Sequence, residues 1–113
     1  MGNAVIAIHR GAGAIARAQM SPGREQEYIA ALSTIVETGQ AMLEAGKSAL
    51  DVVTEAFRLL EECPLFNAGT GAVFTRDNTH ELDACIMDGS SLKAGAVAGV
   101  SHLRNPVLAA RLV

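Results

Sequence analysis

The first half of this chain carries apolar residues at helical spacing. From Glu25 to about Ala45 they recur every three or four residues, which predicts an amphipathic helix ended by Gly46. A second stripe follows Ser48 and Asp51, which resemble a capping box, and it predicts another helix that Pro64 ends. We therefore expect two antiparallel helices that cover a sheet.

Other apolar segments lack the helical period and predict strands. Ala4–Ile8 is a continuous apolar run, typical of a central strand buried on both faces. After the helices, Ala72–Thr75 and Glu81–Met87 flank a polar turn and predict a hairpin. A turn at residues 88–91 leads into Ala94–Val100, which consists almost wholly of small residues. Because small side chains allow close approach, we expect a second sheet to pack on this strand.

The last segment predicts a third helix. Asn105 is a good N-cap, and Pro106 suits the first helical position. The apolar residues then continue to Val113 without a C-cap. We therefore expect residues 1–113 to form a single incomplete domain, the front part of a longer protein.

Composition narrows the class of protein. The chain has 113 residues, half of them apolar, which suits a single globular domain. A net charge of -3, nine scattered basic residues and few aromatics argue against nucleic-acid binding. Cys63 and Cys85 have no metal-binding spacing, and no signal peptide opens the chain, so we expect a cytoplasmic location. The apolar runs are far shorter than the roughly 20 residues that span a bilayer, so we expect no membrane partner.

Leu60–Gly71, here called the hinge loop, separates the helical half from the strands. Pro64 cannot continue a helix, and Gly69 and Gly71 permit positive φ or close backbone approach. Asn67 can bond the backbone of its own loop. We therefore expect a tightly wound, ordered loop whose carbonyl groups remain free to bind something.

A glycine-rich turn follows the first apolar run. Gly11, Gly13 and Ala16 fit the G-x-G-x-x-A dinucleotide pattern. However, Ser21–Gly23 breaks the chain where the phosphate-binding helix should run, and a second strand with its ribose-binding acid is missing. Nucleotide binding is therefore the weakest hypothesis. For His9 alone, a hydrogen-bonded histidine at a strand end is the simpler interpretation than a catalytic one.

Five motifs occur in order along the whole chain. They are the strand and turn Ala4–Gly13, the loop Phe66–Gly71, the segment Asp83–Gly89, the strand Lys93–Val97 and the helix Asn105–Leu112. Together they resemble the N-terminal, α-chain portion of the plant-type L-asparaginase and isoaspartyl peptidase family. These proteins are threonine-dependent N-terminal-nucleophile (Ntn) hydrolases, and the bacterial isoaspartyl peptidase type is the most similar.

The resemblance implies a fold and an assembly. A longer precursor cleaves itself before a threonine, and the resulting α and β chains assemble as an (αβ)2 dimer. The fold implied is an αββα sandwich. This chain would then be α/β (α+β) and would supply part of the sandwich, one sheet with two covering helices. Its expected partners are the β chain and a second αβ unit.

The resemblance also implies a reaction. The liberated threonine attacks the amide of asparagine or of a β-aspartyl peptide through its hydroxyl, with its own α-amine as base, and aspartate is released. In the family the nucleophile, the oxyanion donors and the substrate-holding residues lie beyond the position of Val113. Thr70 sits at the variable position of the loop motif and is interpreted as a loop threonine. We therefore expect no catalytic residue in this chain and no activity from it alone.

What the chain would supply is support for the active site. The family resemblance implies a structural sodium ion, and no organic cofactor, on six main-chain carbonyls of the hinge loop. They belong to Leu60, Glu61, Cys63, Phe66, Ala68 and Thr70. Hard cations prefer such oxygen ligands. Asn67 would lie near the nucleophile, although an asparagine that caps its own loop explains the residue equally well.

The turn His9, Arg10 and Gly11 is the second supporting element that the resemblance implies. Arg10 replaces a glycine of the family, in a turn whose backbone conformation is linked to autoprocessing. A bulky residue is poorly tolerated where φ is positive, so we expect impaired processing. Arg10 and the missing half together point to a degenerate or truncated copy, a fragment, or a deliberately altered sequence. The alternative function is therefore a non-catalytic relic or interaction module that needs a second chain to complete its fold.

Overall fold

The computed structural model describes residues 3–9, 11 and 21–113. Its regular elements are α1 (Pro22–Glu44), α2 (Ala49–Glu62), a 3-10 turn (Gly69–Gly71), β1 (Leu82–Asp88), β2 (Lys93–Val100) and α3 (Pro106–Leu112). The mixture of helices with a two-stranded antiparallel sheet is compatible with part of an αββα sandwich. The sequence thus predicted the class correctly, and the complete sandwich stays a prediction. No helix in the described ranges is long and apolar enough to cross a membrane.

Helix α1 begins three residues earlier than its apolar stripe predicts. The Ser21 hydroxyl accepts a hydrogen bond from the Arg24 N–H at 3.2 Å, and Pro22 occupies the first turn. Proline is favoured there because the N–H it lacks has no helical partner. Ser21 itself is extended (φ -65°, ψ 152°), so a helix cannot run through Ser21–Gly23 from the preceding turn, as the sequence predicts, and these residues instead start α1.

Helix α2 forms as its capping residues predict. The Ser48 hydroxyl accepts a hydrogen bond from the Asp51 N–H at 3.1 Å, and the helix ends at Glu62, two residues before Pro64. Helix α1 packs mainly against α2 rather than against the sheet. The reason is that its buried side chains form one core with those of α2 and the hinge loop, made of Tyr28, Ile35, Ala56 and Phe66.

The sheet is a local hairpin. Strands β1 and β2 pair antiparallel with Ile86 opposite Gly95. The Leu92 N–H donates to the Asp88 carbonyl at 2.7 Å, which closes the turn between the strands. The predicted turn at residues 88–91 and the small-residue strand after it are confirmed.

Two other predicted strands are absent from the described residues. Ala4–Ile8 forms no strand, and Val5 is 85% exposed, although Ile6 and Ile8 pack against the core. Ala72–Thr75 is not a strand either. Both predictions were wrong for the same reason: a strand requires a neighbour for its backbone hydrogen bonds, and in the described residues neither segment pairs with one, although β1 and β2 each keep one free edge.

Helix α3 covers one face of the hairpin and contacts both strands. Gly95 makes this close packing possible, because a Cβ atom there would collide with the Ala110 carbonyl oxygen. At this position the small residue serves a helix and not the second sheet that the sequence predicted. The opposite face, with Cys85, Met87 and Ala96, is exposed, so a second sheet on that face stays a prediction.

Candidate functional site

The hinge loop is wound by short-range hydrogen bonds. Its backbone bonds run from Cys63 N–H to Leu60 O (3.3 Å), Phe66 N–H to Cys63 O (3.4 Å), Ala68 N–H to Phe66 O (2.8 Å) and Gly71 N–H to Ala68 O (3.1 Å). The Phe66 ring is 4% exposed and meets the Tyr28 ring edge-on, with centroids 5.9 Å apart. The loop is therefore tightly wound and anchored to the core, as its sequence predicts.

Three carbonyl oxygens lie close to the two glycines of this loop. Gly69 has a φ of +50°, and a Cβ atom added to it would meet the Glu61 carbonyl oxygen. A Cβ atom at Gly71 would meet the Phe66 carbonyl oxygen and would lie 2.7 Å from that of Pro64. The two glycines thus let peptide oxygens lie against the loop backbone, that of Glu61 at Gly69 and those of Pro64 and Phe66 at Gly71, and carbonyl oxygens are the donors that a hard cation takes.

The six carbonyls proposed for sodium differ in their present use. Four of them, on Leu60, Cys63, Phe66 and Ala68, accept one hydrogen bond inside the loop. A carbonyl oxygen has two lone pairs, so these bonds leave room for a cation. Among the described residues no group of three or more His, Cys, Asp or Glu side chains could hold a metal ion. The residues present therefore fit a cation through the main chain, and the ion itself stays a proposal.

Asn67 closes the second half of the loop. Its Oδ1 accepts a hydrogen bond from the Val73 N–H at 3.0 Å. This bond is the loop-capping role that the sequence left open, and the side chain is otherwise exposed. Asn67 also lines a cavity of about 300 Å³ together with Glu61, Gly69, Asp83 and Pro106. A role beside a nucleophile stays a prediction.

Glu61 is the residue whose side chain the sequence reasoning missed. It is 1% exposed, and its carboxylate accepts hydrogen bonds from the Val107 N–H at 2.9 Å and from the Asn105 amide at 3.1 Å. Burial raises the pKa of Glu61 above its usual value, and the two hydrogen bonds act in the opposite direction. The only signal in the sequence was the Asn105–Pro106 helix start, whose first free N–H needs an acceptor.

Two further polar contacts join α2 to the region of α3. Arg104 forms a bidentate pair with Glu62 (2.9 and 2.8 Å), and this hydrogen bonding lowers the pKa of the Glu62 carboxyl. Arg111 donates to Asp51 at 2.6 Å and to the Thr54 hydroxyl at 3.1 Å. Hydrogen bonding to Arg111 lowers the pKa of Asp51. Both ion pairs are partly exposed to solvent, so each contributes little to holding α2 against α3.

The turn after the first apolar run is described only in part. The His9 Nδ1 accepts a hydrogen bond from the Gly11 N–H at 3.1 Å, and Gly11 has a φ of +108°. His9 is therefore hydrogen-bonded, as its simpler interpretation holds, although it follows no strand. Arg10, Gly13 and Ala16 lie outside the described residues, so the predictions made for them are untested.

Comparison with known proteins identifies the family of this chain. The asparaginase family matches residues 2–113. The chain is 84% identical to an isoaspartyl peptidase of Escherichia coli K12 over all 113 residues, which are 35% of that relative. The chain is 80% identical to an isoaspartyl peptidase of Salmonella typhimurium and covers 36% of that relative. Over 96% of its length it is 47% identical to a plant-type L-asparaginase of Pyrococcus furiosus, and it covers 34% of that relative. The chain thus spans about a third of the length of these relatives, and it belongs to the asparaginase family.

Proposed function

We propose that this chain is the N-terminal portion of an isoaspartyl peptidase and L-asparaginase that hydrolyses β-aspartyl peptides and asparagine and releases aspartate. The observation that carries the proposal is the 84% identity to the Escherichia coli isoaspartyl peptidase over every residue of the chain. The chain supplies the hinge loop and its scaffold. The reacting threonine of this Ntn hydrolase, released by autoprocessing, lies outside the chain, so the chain alone is inactive.

The proposed chemistry is amide hydrolysis through an acyl-enzyme. The threonine hydroxyl attacks the side-chain carbonyl of the aspartyl substrate, its α-amine takes the proton, and water then hydrolyses the ester and releases aspartate. Asn67 lies on the candidate cavity and keeps an amide group beyond its bond to Val73. In this proposal the hinge loop holds that side chain beside the nucleophile.

A structural sodium ion on the hinge loop is part of the proposal. The main-chain carbonyls that would hold it belong to Leu60, Glu61, Cys63, Phe66, Ala68 and Thr70. When bound, the ion would supply positive charge that compensates the repulsion between converging carbonyl dipoles. The glycines of the loop would keep the space open, because neither Gly69 nor Gly71 can accept a Cβ without contact with backbone.

The proposed partners follow from the same family. They are the β chain of the precursor and a second αβ unit, forming (αβ)2, together with small aspartyl substrates. We propose neither nucleic acid nor a membrane as a partner, and we propose the cytoplasm as the location of the protein. The net charge of -3 supports the exclusion of nucleic acid.

The test compares two forms of the protein. The full reading frame that contains these residues should release aspartate from a β-aspartyl dipeptide and from asparagine, whereas the pure 113-residue chain should release none. A second measurement compares melting in sodium and in potassium chloride, and sodium should raise the midpoint because it binds only the folded loop. Turnover by the pure chain would place the nucleophile within these residues and overturn the proposal.

A second candidate function is a non-catalytic module that pairs with another chain. The observation that favours it is the exposed sheet face, on which Met87 is 57% exposed. A reading frame that stops after codon 113 and a protein that binds a second chain without releasing aspartate would support the module. An in-frame continuation to a Gly-Thr-Val-Gly stretch would support the enzyme.

A further inference from the structure

Glu61 is held from two directions at once. Its carboxylate reaches α3, where it accepts from the Val107 N–H at 2.9 Å and from the Asn105 side chain at 3.1 Å. Its backbone contacts the far end of the hinge loop, where a Cβ atom on Gly69 would lie 2.8 Å from the Glu61 Cβ. One buried residue near the start of the hinge loop therefore connects α3 to Gly69 at the other end of that loop.

The Glu61 carboxylate, which belongs to α2, caps the start of α3. Asn105 is the N-cap of α3, but its side chain makes no capping hydrogen bond to that helix. Pro106 has no N–H, so Val107 provides the first N–H group of α3, and it is buried. Both carboxylate oxygens of Glu61 are therefore used, one for each donor.

The backbone of Glu61 determines where the hinge loop can lie. Gly69 is in direct contact with the last turn of α2 through Glu61, and Asn67 is two residues before Gly69 in the same loop. A rotation of that last turn would push the Glu61 carbonyl into Gly69 or withdraw it. Either movement would shift the part of the loop that carries Asn67 and its bond to Val73.

We infer that the Glu61 side chain is a positioning residue, which fixes the last turn of α2 through α3 and thereby sets the place of the hinge loop and of Asn67. The inference rests on the proposed function only for what Asn67 does there. Glu62 is the natural comparison, since it is the next residue of α2 and its carboxylate pairs with the 80% exposed Arg104 side chain.

The decisive experiment exchanges the donor and the acceptor of the hydrogen bond between Asn105 and Glu61. Glu61→Gln and Asn105→Asp are nearly isosteric changes, and together they reverse the polarity of the 3.1 Å contact. Asn105→Asp alone places two carboxylates against each other. Glu61→Gln alone leaves two amide groups, which still share a hydrogen bond when the Asn105 amide turns over. The double variant restores one donor and one acceptor, and the side-chain carbonyl of the introduced glutamine can still accept from the Val107 N–H.

The readout is amide hydrogen exchange in the protein made from the full reading frame. The Gly71 and Val73 amides report the hinge loop, and amides in the middle of α1 report global stability. Asn105→Asp should speed exchange at Gly71 and Val73 by about tenfold relative to α1, and Glu61→Gln should speed it less. The double variant should return to within about threefold of the original protein, whereas Glu62→Gln should leave the loop unchanged.

Two results would overturn the inference. Equal acceleration of the loop and α1 amides in Asn105→Asp would show that Glu61 only stabilises the fold, and an unchanged loop would show that it positions nothing. Asn105→Ala, which removes one of the two hydrogen bonds to Glu61 and adds no charge, decides the matter in the same way if Asn105→Asp fails to fold. Aspartate release is measured in the same variants. If the proposed function is wrong, no variant releases aspartate, and the hydrogen-exchange rates still decide whether Glu61 positions the loop.

Discussion

The two apolar runs Ala4–Ile8 and Lys93–Val100 contrast in a way that their composition does not predict. The first is richer in β-branched residues, yet it forms no strand and Val5 is 85% exposed. The second consists mostly of alanine and glycine, yet it pairs with β1 from Lys93 to Val97 and again at Val100, across an irregularity at Ala98 and Gly99. Because strand propensity reflects the surroundings of a side chain, a partner across a short turn outweighs a favourable composition.

The largest effect should come from filling the contact between β2 and α3. Gly95→Val places a side chain against the Ala110 carbonyl, which cannot move without displacing α3. We expect a loss of about 3 kcal/mol in the free energy of unfolding, measured with urea. The control is Ala96→Val on the opposite, exposed face, which should stay within about 0.5 kcal/mol. Equal losses would mean that α3 does not cover β2.

A smaller loss of stability should distinguish two neighbouring residues of the run Ala4–Ile8. Ile6 packs against the core, whereas Val5 is 85% exposed. Ile6→Ala should therefore lower the free energy of unfolding by about 1 kcal/mol, and Val5→Ala by less than about 0.5 kcal/mol. If both changes cost several kcal/mol, the run is a strand buried on both faces, and its contrast with β2 disappears.

The smallest effect concerns the ion pair that ties α3, and with it the hairpin, to α2. Arg111 lowers the pKa of Asp51 below 3.8, so the ionised pair stabilises the fold above that pH and the contribution is lost as the pH falls through the lowered pKa. Arg111→Gln should raise the pKa of Asp51 toward 3.8, measured by NMR titration. The control Arg24→Gln, on α1, should leave the Asp51 titration unchanged.

Local chemistry made most of the elements predictable. The Ser48 cap, the proline after α2, the turn between β1 and β2 and the Asn105–Pro106 start of α3 all act within a few residues of the structure they produce. The lack of a strand partner for Ala4–Ile8 and Ala72–Thr75 in the described residues was not predictable, since pairing depends on which strands lie beside a segment in the fold.

Some features of the candidate site were likewise predictable from nearby residues, and others were not. The wound hinge loop and the capping role of Asn67 follow from residues inside the loop, and the set of carbonyls came from family resemblance. The role of Glu61 could not be found from its surroundings in sequence. Its partners Asn105 and Val107 lie 44 and 46 residues away, and a glutamate in the last turn of a helix is ordinarily exposed.

The packing of Ile6 and Ile8 on the core cluster that contains Phe66 has a consequence for synthesis. That cluster also contains Tyr28 and Ile35 of α1, but it is complete only when Phe66 leaves the ribosome, about 60 residues later or roughly 3 to 12 seconds at ordinary elongation rates. During that interval a stretch of high β-propensity has only part of its cover from its own chain. The nascent protein is therefore most exposed to misassociation at its beginning, and a chaperone that binds short apolar segments would meet that stretch first.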